Sequence, residues 1–596
     1  MSDYHAPLKD IAFVLDHVVP LADVNSLEAF AHADRELVDG LLAEAGRFCE
    51  DLVAPSNRDA DQQGSILADG QVRTPESFKR IYEQYVGAGW GALAHPPELG
   101  GGGFPLLVAN AFKEMLTAAN MAFSLGPLLT TGAVTMLVEH ASDAQKQEYV
   151  TKLVSGEWAG TMNLTEPQAG SDVGAITSKA IPTDDGTWRI TGQKIFITYG
   201  DHDLTDNIIH LVLARVPDAP PGTKGISCFI VPKYLVNDDG SLGEPNDVKV
   251  VSVEHKLGIH ASPTCVMAFG DEGDGAVGHL IGEVNAGMRY MFTMMNDARL
   301  GVGLQGLAIG ERAYQQAVAY AVERRQGRAV GADAGTSSTI VQHADVRRML
   351  LTMKAYVEGM RALCYANAQA IDLAAHHPDD VAREHHQKLA DLLTPLSKAW
   401  STDRGVDVAS LGIQVHGGMG YIEETGAAQY YRDARIAPIY EGTNGIQALD
   451  LVGRKLPYDG GAFVKGWIAD LRTEAEALEG ERLADIRAGL LDGISVLEEA
   501  TDWMFAHAAE PNEIFAGATP SLQLTAQVAA GSLLARGAAA ADRLLDGQGD
   551  EEFFAARIVV ANFYVTQLLP IVAGLLPAVT AGAADLFELS EAQLTG

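Results

Sequence analysis

Apolar residues change their spacing three times along the chain. Up to about residue 158 the spacing is helical: Ala33 to Val53 alternates acids with Leu37, Leu41, Leu42 and Phe48, roughly one apolar position per turn. Ser142 stands ahead of DAQKQEYVTKLV, where a hydroxyl can cap a second helix. From Trp158 to about Gly275 the runs IFITY, IIHLVLARV and GISCFIVP are short and β-branched, and they are parted by Asp184-Asp185-Gly186 and Pro220-Pro221-Gly222. Strands so spaced, with turn chemistry and no helices between them, predict an antiparallel barrel or sandwich rather than a Rossmann sheet. Helical spacing returns from Val284 to about Val452, where Val346, Met349, Leu350, Met353, Val357, Met360 and Cys364 form one stripe of a bundle. Beyond Pro457-Tyr458-Asp459-Gly460-Gly461, Ile486, Leu490, Ile494, Leu497 and Met504 start another stripe, followed by Ala-rich helical sequence. The prediction is an α+β, mainly helical protein. It has an N-terminal helical domain with an arm (1–158), a central β domain (159–283), a helical bundle (284–456) and an extra C-terminal helical domain (457–596).

Two glycine motifs invite a nucleotide reading that their context rejects. HPPELGGGGF, with Gly100 to Gly103, follows a proline pair rather than a strand and reads as a turn. Gly301-Val302-Gly303-Leu304-Gln305-Gly306 is a literal GxGxxG, but the preceding MRYMFTMMNDARL is helical. A dinucleotide fingerprint needs a strand there, so these glycines predict close helix packing.

With 596 residues the chain is long enough for several cores, and its net charge of −35 disfavours a nucleic-acid surface. Cys49, Cys228, Cys265 and Cys364 lack metal-type spacing, which predicts buried thiols in a reducing, cytoplasmic compartment. The start MSDYHAPLKD lacks the pattern of a signal peptide. Ile558 to Ala584 is free of charge, but Asn562, Gln567, Pro570 and Pro577 interrupt it, which predicts two buried helices instead of an integral membrane span.

The chemistry centres on Gln414 to Gln447, QVHGGMGYIEETGAAQYYRDARIAPIYEGTNGIQ, where Glu441 is flanked by Gly442, Asn444 and Gly445 at the end of a largely helical stretch. Small neighbours leave such a carboxylate open to a substrate. HGGMGY, TEPQAGSD (Thr165 to Asp172) and KIFIT (Lys194 to Thr198), in this order and at about this spacing, resemble the signatures of the acyl-CoA dehydrogenase family over roughly residues 80 to 455.

The resemblance implies FAD held between a small β-barrel and a helical bundle, and α,β-dehydrogenation of an acyl-CoA thioester. Glu441 would be the base that takes the α proton, with Gly442 beside it on the substrate. Met162, Leu164, Thr165 and Gly170 would border the flavin, Ser171 would reach both FAD and the pantetheine arm, and Phe196, Ile197 and Thr198 would lie behind the isoalloxazine. Asn296 and Arg299 match a substrate-contacting tetrad, and Ala298 stands where some members carry the base, so that alternative position is empty. Arg324, Gln414, Gly417, Gly418, Thr443 and Asn444 match contacts to the rest of FAD, several of them across a subunit interface, which implies a homodimer. ERRQGR departs from the usual pattern by lacking a Phe, and Gly445 replaces a common Gln. His416 reads as structural. Electrons would pass to an electron-transfer flavoprotein.

The opening YHAPLKDIAFVLDHV and the last domain resemble the longer members of the family, among them fatty acyl-CoA and 3-methylmercaptopropionyl-CoA dehydrogenases. The acyl pocket is expected from the segment 118–129. Two rival readings share the core: an acyl-CoA oxidase, and a DNA-associated alkylation-response flavoprotein. The second needs a basic C-terminal face, whereas residues 455–596 carry 8 Lys or Arg against 21 Asp or Glu.

Overall fold

In the computed structural model, residues 4–333, 335–545, 547 and 549–596 are described. They pack as two compact units, the first made of Arg47–Pro105 and Ala119–Gly301, the second of the chain before residue 47, Leu106–Ala118 and everything from Val302 on. The fold is α+β and mainly helical, as the spacing predicts.

In the first unit the apolar helix α1 (Met121–His140) is capped by the Asn120 side chain, which accepts from the Phe123 N–H. The main sheet has eight strands: β1 (Trp158–Asn163), β2 (Lys179–Pro182), β3 (Trp188–Thr198), β4 (Asn207–Ala214), β5 (Ser227–Pro232), β6 (Val248–Val253), β7 (Thr264–Phe269) and β8 (Ala276–Leu280). Their order is β6-β7-β3-β8-β5-β4-β1, with β2 added on β3. Every ladder is antiparallel except β1 with β4, which corrects the purely antiparallel expectation. A parallel pair needs a long crossover, and residues 164–206, with β2 and β3, supply it. β4 and β5 are buried at every residue, hence their unbroken apolar runs. The first part of α2 (Gly287–Glu323) closes this unit.

The second unit holds the rest of α2 with α3 (Ala344–His376), α4 (Asp380–His416), α5 (Ala427–Ala434), α6 (Asn444–Asp450) and the C-terminal helices. The GxGxxG glycines lie inside α2, and a Cβ on Gly306 would stand 2.2 Å from the Ser401 carbonyl oxygen of α4. Close helix packing is therefore their role. In α3 the stripe from Met349 to Cys364 is buried, and Ile486, Leu490, Ile494, Leu497 and Met504 are buried further on. The Arg35–Phe48 helix corrects the expected phase: Val38, Leu42, Ala45 and then Cys49 are buried, whereas Leu37 is 46% exposed. A helical face recurs at three- and four-residue steps, and Val38 rather than Leu37 starts it.

Ile558 to Ala584 bends by 41° at Pro570, between Glu551–Leu568 and Ile571–Thr580. Met121–His140 is also apolar and long enough to cross a membrane, but 67% of its apolar 18-residue stretch is buried inside the protein. All four cysteines are free and buried, and burial pushes the thiols of Cys228, Cys265 and Cys364 up to about 12.

Candidate active site

In the first unit, the end of β1 and the loop that follows it meet β3. The Ile195 N–H donates to the Thr165 carbonyl at 2.9 Å, and the Thr161 hydroxyl donates to the Thr198 carbonyl at 3.0 Å. β3 carries one extra residue against β7 between Lys194 and Ile197, a bulge in which Phe196 takes φ +60°. A non-glycine residue rarely adopts that conformation, and bulges re-aim side chains. Here the result is a Phe196 ring 60% exposed beside a buried Ile197. Met162, Thr165 and Thr198 are half-buried, Leu164 is buried, and Gly170 and Ser171 are exposed on the loop. A Cβ added at Gly170 would meet nothing within 4 Å. The open glycine, hydroxyls and bare aromatic ring fit the edge and face of a flat ring system such as a flavin.

A buried ion pair shapes this loop. The Glu166 carboxylate accepts from the Thr177 N–H and hydroxyl, the Ser178 N–H and hydroxyl, the Gln168 amide, and the Lys194 ammonium at 2.8 Å. Lys194 also donates to the Leu164 carbonyl at 3.0 Å. Residues 164–178 are thereby lashed to β3. Burial acts to raise the Glu166 carboxyl, but the Lys194 charge and the hydrogen bonds outweigh it and hold the group down at about 2. Burial also pushes Lys194 down to about 8, only partly offset by Glu166. Gain at one partner is matched by cost at the other, so the pair fixes geometry more than it adds stability.

Asn296 and Arg299 lie on the first part of α2. Arg299 is buried, donates to the Asn296 side-chain oxygen at 3.2 Å and stands 6.0 Å from the Phe292 ring centre. A cavity of about 260 Å³ borders α1 at Pro127, Thr130 and Thr131 and is walled by Tyr82 and Tyr85. It overlaps the expected acyl-pocket segment only at Pro127.

In the second unit, Glu441 occupies a turn between α5 and α6 rather than the end of a long helix. The α-helix ends at Ala434, turn hydrogen bonds carry the chain on as far as Tyr440, and Glu441 and Gly442 both have positive φ, +55° and +83°. The half-buried Glu441 is thus presented by a left-handed kink, with glycine tolerating the second such position. The Thr443 hydroxyl accepts from the Ile446 N–H and starts α6. Asn444 faces α4: its oxygen accepts from Lys398 at 2.9 Å, and its amide donates to Asp403 at 2.7 Å and to the Ala399 carbonyl at 3.1 Å. Its side chain anchors the turn. Tyr440, one residue before the acid, donates its hydroxyl to the buried Gln305 of α2.

Gln414, Gly417 and Gly418 end α4, all exposed, and a Cβ at either glycine would meet nothing within 4 Å. Arg324, exposed, lies one turn beyond Tyr320, whose ring stacks on His416 at 4.5 Å. His416 is buried and bonded to the Gly412 carbonyl at 2.7 Å, and burial lowers its pKa, a structural role as expected. Within this unit Arg324 and Gly417 therefore share one end of α4. Asn444 docks at Lys398 to Asp403, roughly 20–30 Å back along the helix at 1.5 Å per residue.

Residues 38–157, 161–271 and 285–456 match the N-terminal, middle and C-terminal domains of acyl-CoA dehydrogenase, and 464–590 match the acetyl-CoA dehydrogenase C-terminal-like domain. The 3-methylmercaptopropionyl-CoA dehydrogenase of Ruegeria pomeroyi is 48% identical over 95% of this chain and 96% of its own length. The chain belongs to the acyl-CoA dehydrogenase family. A butyryl-CoA dehydrogenase of Syntrophomonas wolfei is 36% identical over 99% of both chains. Among solved structures, Caenorhabditis elegans ACDH-11 in complex with C11-CoA superposes with a TM-score of 0.75 at 21% identity, covering 95% of this chain and 92% of that one. That likeness speaks for the fold.

As an acyl-CoA dehydrogenase, the protein is an FAD-dependent oxidoreductase that introduces a double bond into an acyl-CoA thioester. Glu166, Lys194, Lys398, Gln305 and Asp403 act as anchors, a role the motifs alone do not assign to them. A signal existed for two of them, a lysine inside the apolar strand KIFIT and another inside the apolar helix stretch TPLSKAWST. Such lysines are almost never buried without a partner.

Proposed function

We propose that this acyl-CoA dehydrogenase uses Glu441 to remove the α proton of a short acyl-CoA, forming a trans-2-enoyl-CoA. The observation that carries the reading is the kinked turn, which fixes Glu441 between Thr443 and Tyr440 while leaving the residue half-buried. A base so held needs little reorganisation to meet a C–H bond, and filling the site with a thioester would remove water and raise its basicity. Bound FAD supplies the hydride acceptor. Met162, Leu164, Thr165, Gly170, Ser171, Phe196, Ile197 and Thr198 would hold its ring half. Arg324, Gln414, Gly417 and Gly418 would hold the adenosine diphosphate half of a cofactor shared with a second copy, because in one chain they lie far from Asn444 along α4. Arg suits bidentate phosphate contact. Thr443 and Asn444 serve this site by fixing the turn, Gly442 gives the backbone its reach, and Asn296 and Arg299 orient the pantetheine side.

The named activities of the Ruegeria and Syntrophomonas relatives favour a short acyl group, the methylthio-substituted propionyl thioester first. An electron-transfer flavoprotein takes the electrons, the active form is a homodimer, and the reduced thiols suit the cytoplasm. The test is anaerobic addition of acyl-CoAs from short to long, the methylthio compound included, to the flavin-loaded protein. Rapid bleaching by the short members is expected, and Glu441→Gln should keep FAD but lose the bleaching. Turnover retained in Glu441→Gln removes the base assignment.

A further inference from the structure

The helix Ala518–Leu545 lies beyond the three domains that make the common core, and it reaches into the support of the catalytic turn. Gln523 donates its amide to Asp403 at 2.6 Å, through the carboxylate oxygen that Asn444 does not use. Asp403 accepts from Asn444 at 2.7 Å with the other oxygen, and Asn444 also accepts from the fully buried Lys398 and exchanges hydrogen bonds with Thr402. Asn444 is three residues from Glu441. Its N–H donates to the Pro438 carbonyl, closing the turn from the far side. Four residues along the same C-terminal helix, Gln527 accepts from the Trp400 indole at 2.9 Å. This second contact joins the same two helices without touching Asp403.

We propose that Gln523 is a positioning residue for the base: through Asp403 and Asn444, the C-terminal domain sets where the Glu441 turn stands. The proposal rests on Glu441 being the base. Asp403 is what makes the chain continuous, because a carboxylate offers two acceptor oxygens and both are used, one toward each donor. Without Gln523 one oxygen of a half-buried carboxylate loses its donor, and Asp403 is free to turn away from Asn444. Gln527 carries no such route to the turn.

The experiment compares Gln523→Leu, Gln523→Asn, Asp403→Leu, Asp403→Asn and Gln527→Leu with the wild type as flavin-loaded full chains. Melting temperature, FAD content, kcat, KM for acyl-CoA and the pH profile of kcat are measured with an artificial electron acceptor. Gln523→Leu and Asp403→Leu are expected to lower kcat by about 10- to 100-fold, the scale of a base misplaced by an ångström, with KM and FAD content near wild type and the pH profile displaced. Gln523→Asn, too short by one methylene, should fall in the same direction while keeping the fold. Asp403→Asn should rescue, since Gln523 can turn over to offer its oxygen to the new amide. Gln527→Leu should lower the melting temperature and leave kcat in place. A wild-type kcat and pH profile in both Gln523 variants, or an equal loss of kcat in Gln527→Leu, overturns the proposal. Failure of the base assignment is distinct, because only that would leave Glu441→Gln active.

Discussion

The loop of residues 164–178 in the first unit and the acid-bearing turn of the second solve the same problem with different chemistry. Both are irregular segments held by buried side chains. The loop is tied by a full charge pair, Glu166 with Lys194, which draws in Thr177, Ser178 and the Leu164 carbonyl. The turn is tied by an amide, Asn444, spread over Lys398, Thr402 and Asp403. A buried ion pair is all or nothing, since removing either partner leaves the other stranded in a low dielectric. An amide lattice loses its bonds singly and can be tuned from outside. The loop has to present a fixed surface of hydroxyls and backbone, whereas the turn carries a group whose placement a further helix adjusts.

Breaking that contrast begins with the charge pair. Lys194→Met leaves Glu166 buried without its cation and is expected to cost about 3–5 kcal/mol in urea unfolding. Glu166→Leu combined with Lys194→Met should recover most of the stability but not the flavin affinity, measured by quenching of FAD fluorescence, because residues 164–178 lose their anchor. A stable single variant would mean the pair is dispensable. Asn444→Ala should cost less, about 1–3 kcal/mol, the range for buried groups left unsatisfied. Its larger effect should fall on kcat, and a loss of stability matching Lys194→Met would erase the distinction.

The smallest effect is in acid. The folded pKa of Glu166 lies below its ordinary 4.5, so its contribution is fully present above 4.5 and is lost as the pH falls toward about 2. Burial raises Asp403 instead, against the hydrogen bond from Asn444, so its contribution is present at low pH and lost as the pH rises through its folded value. Acid therefore weakens the loop clamp and relieves the turn. Urea midpoints between pH 6 and 2 should show the Glu166→Leu, Lys194→Met double variant overtaking the wild type below pH 4.5, and unchanged ranking would refute the sign.

Local pattern carried much of this protein. Alternating textures at Trp158 and Val284 announced where the sheet begins and ends. The glycines of α2 revealed close packing because the residues before them were helical, and the motifs at Thr165, Lys194 and Glu441 pointed to the family because each is short and contiguous. Periodicity could not fix phase in the Arg35–Phe48 helix, where Leu37 and Val38 are equally apolar and only packing chooses between them. Nor could it supply the parallel pairing of β1 with β4, a consequence of the crossover between them. The left-handed backbone at Phe196 and Glu441 is invisible in residue identity, since neither side chain prefers it and the surrounding bonds impose it. Gln523 is the clearest case: it reads as one polar residue among many on an Ala-rich helix. Its meaning comes from standing 2.6 Å from Asp403, 120 positions away, because hydrogen bonds act through space while sequence orders residues only along the chain.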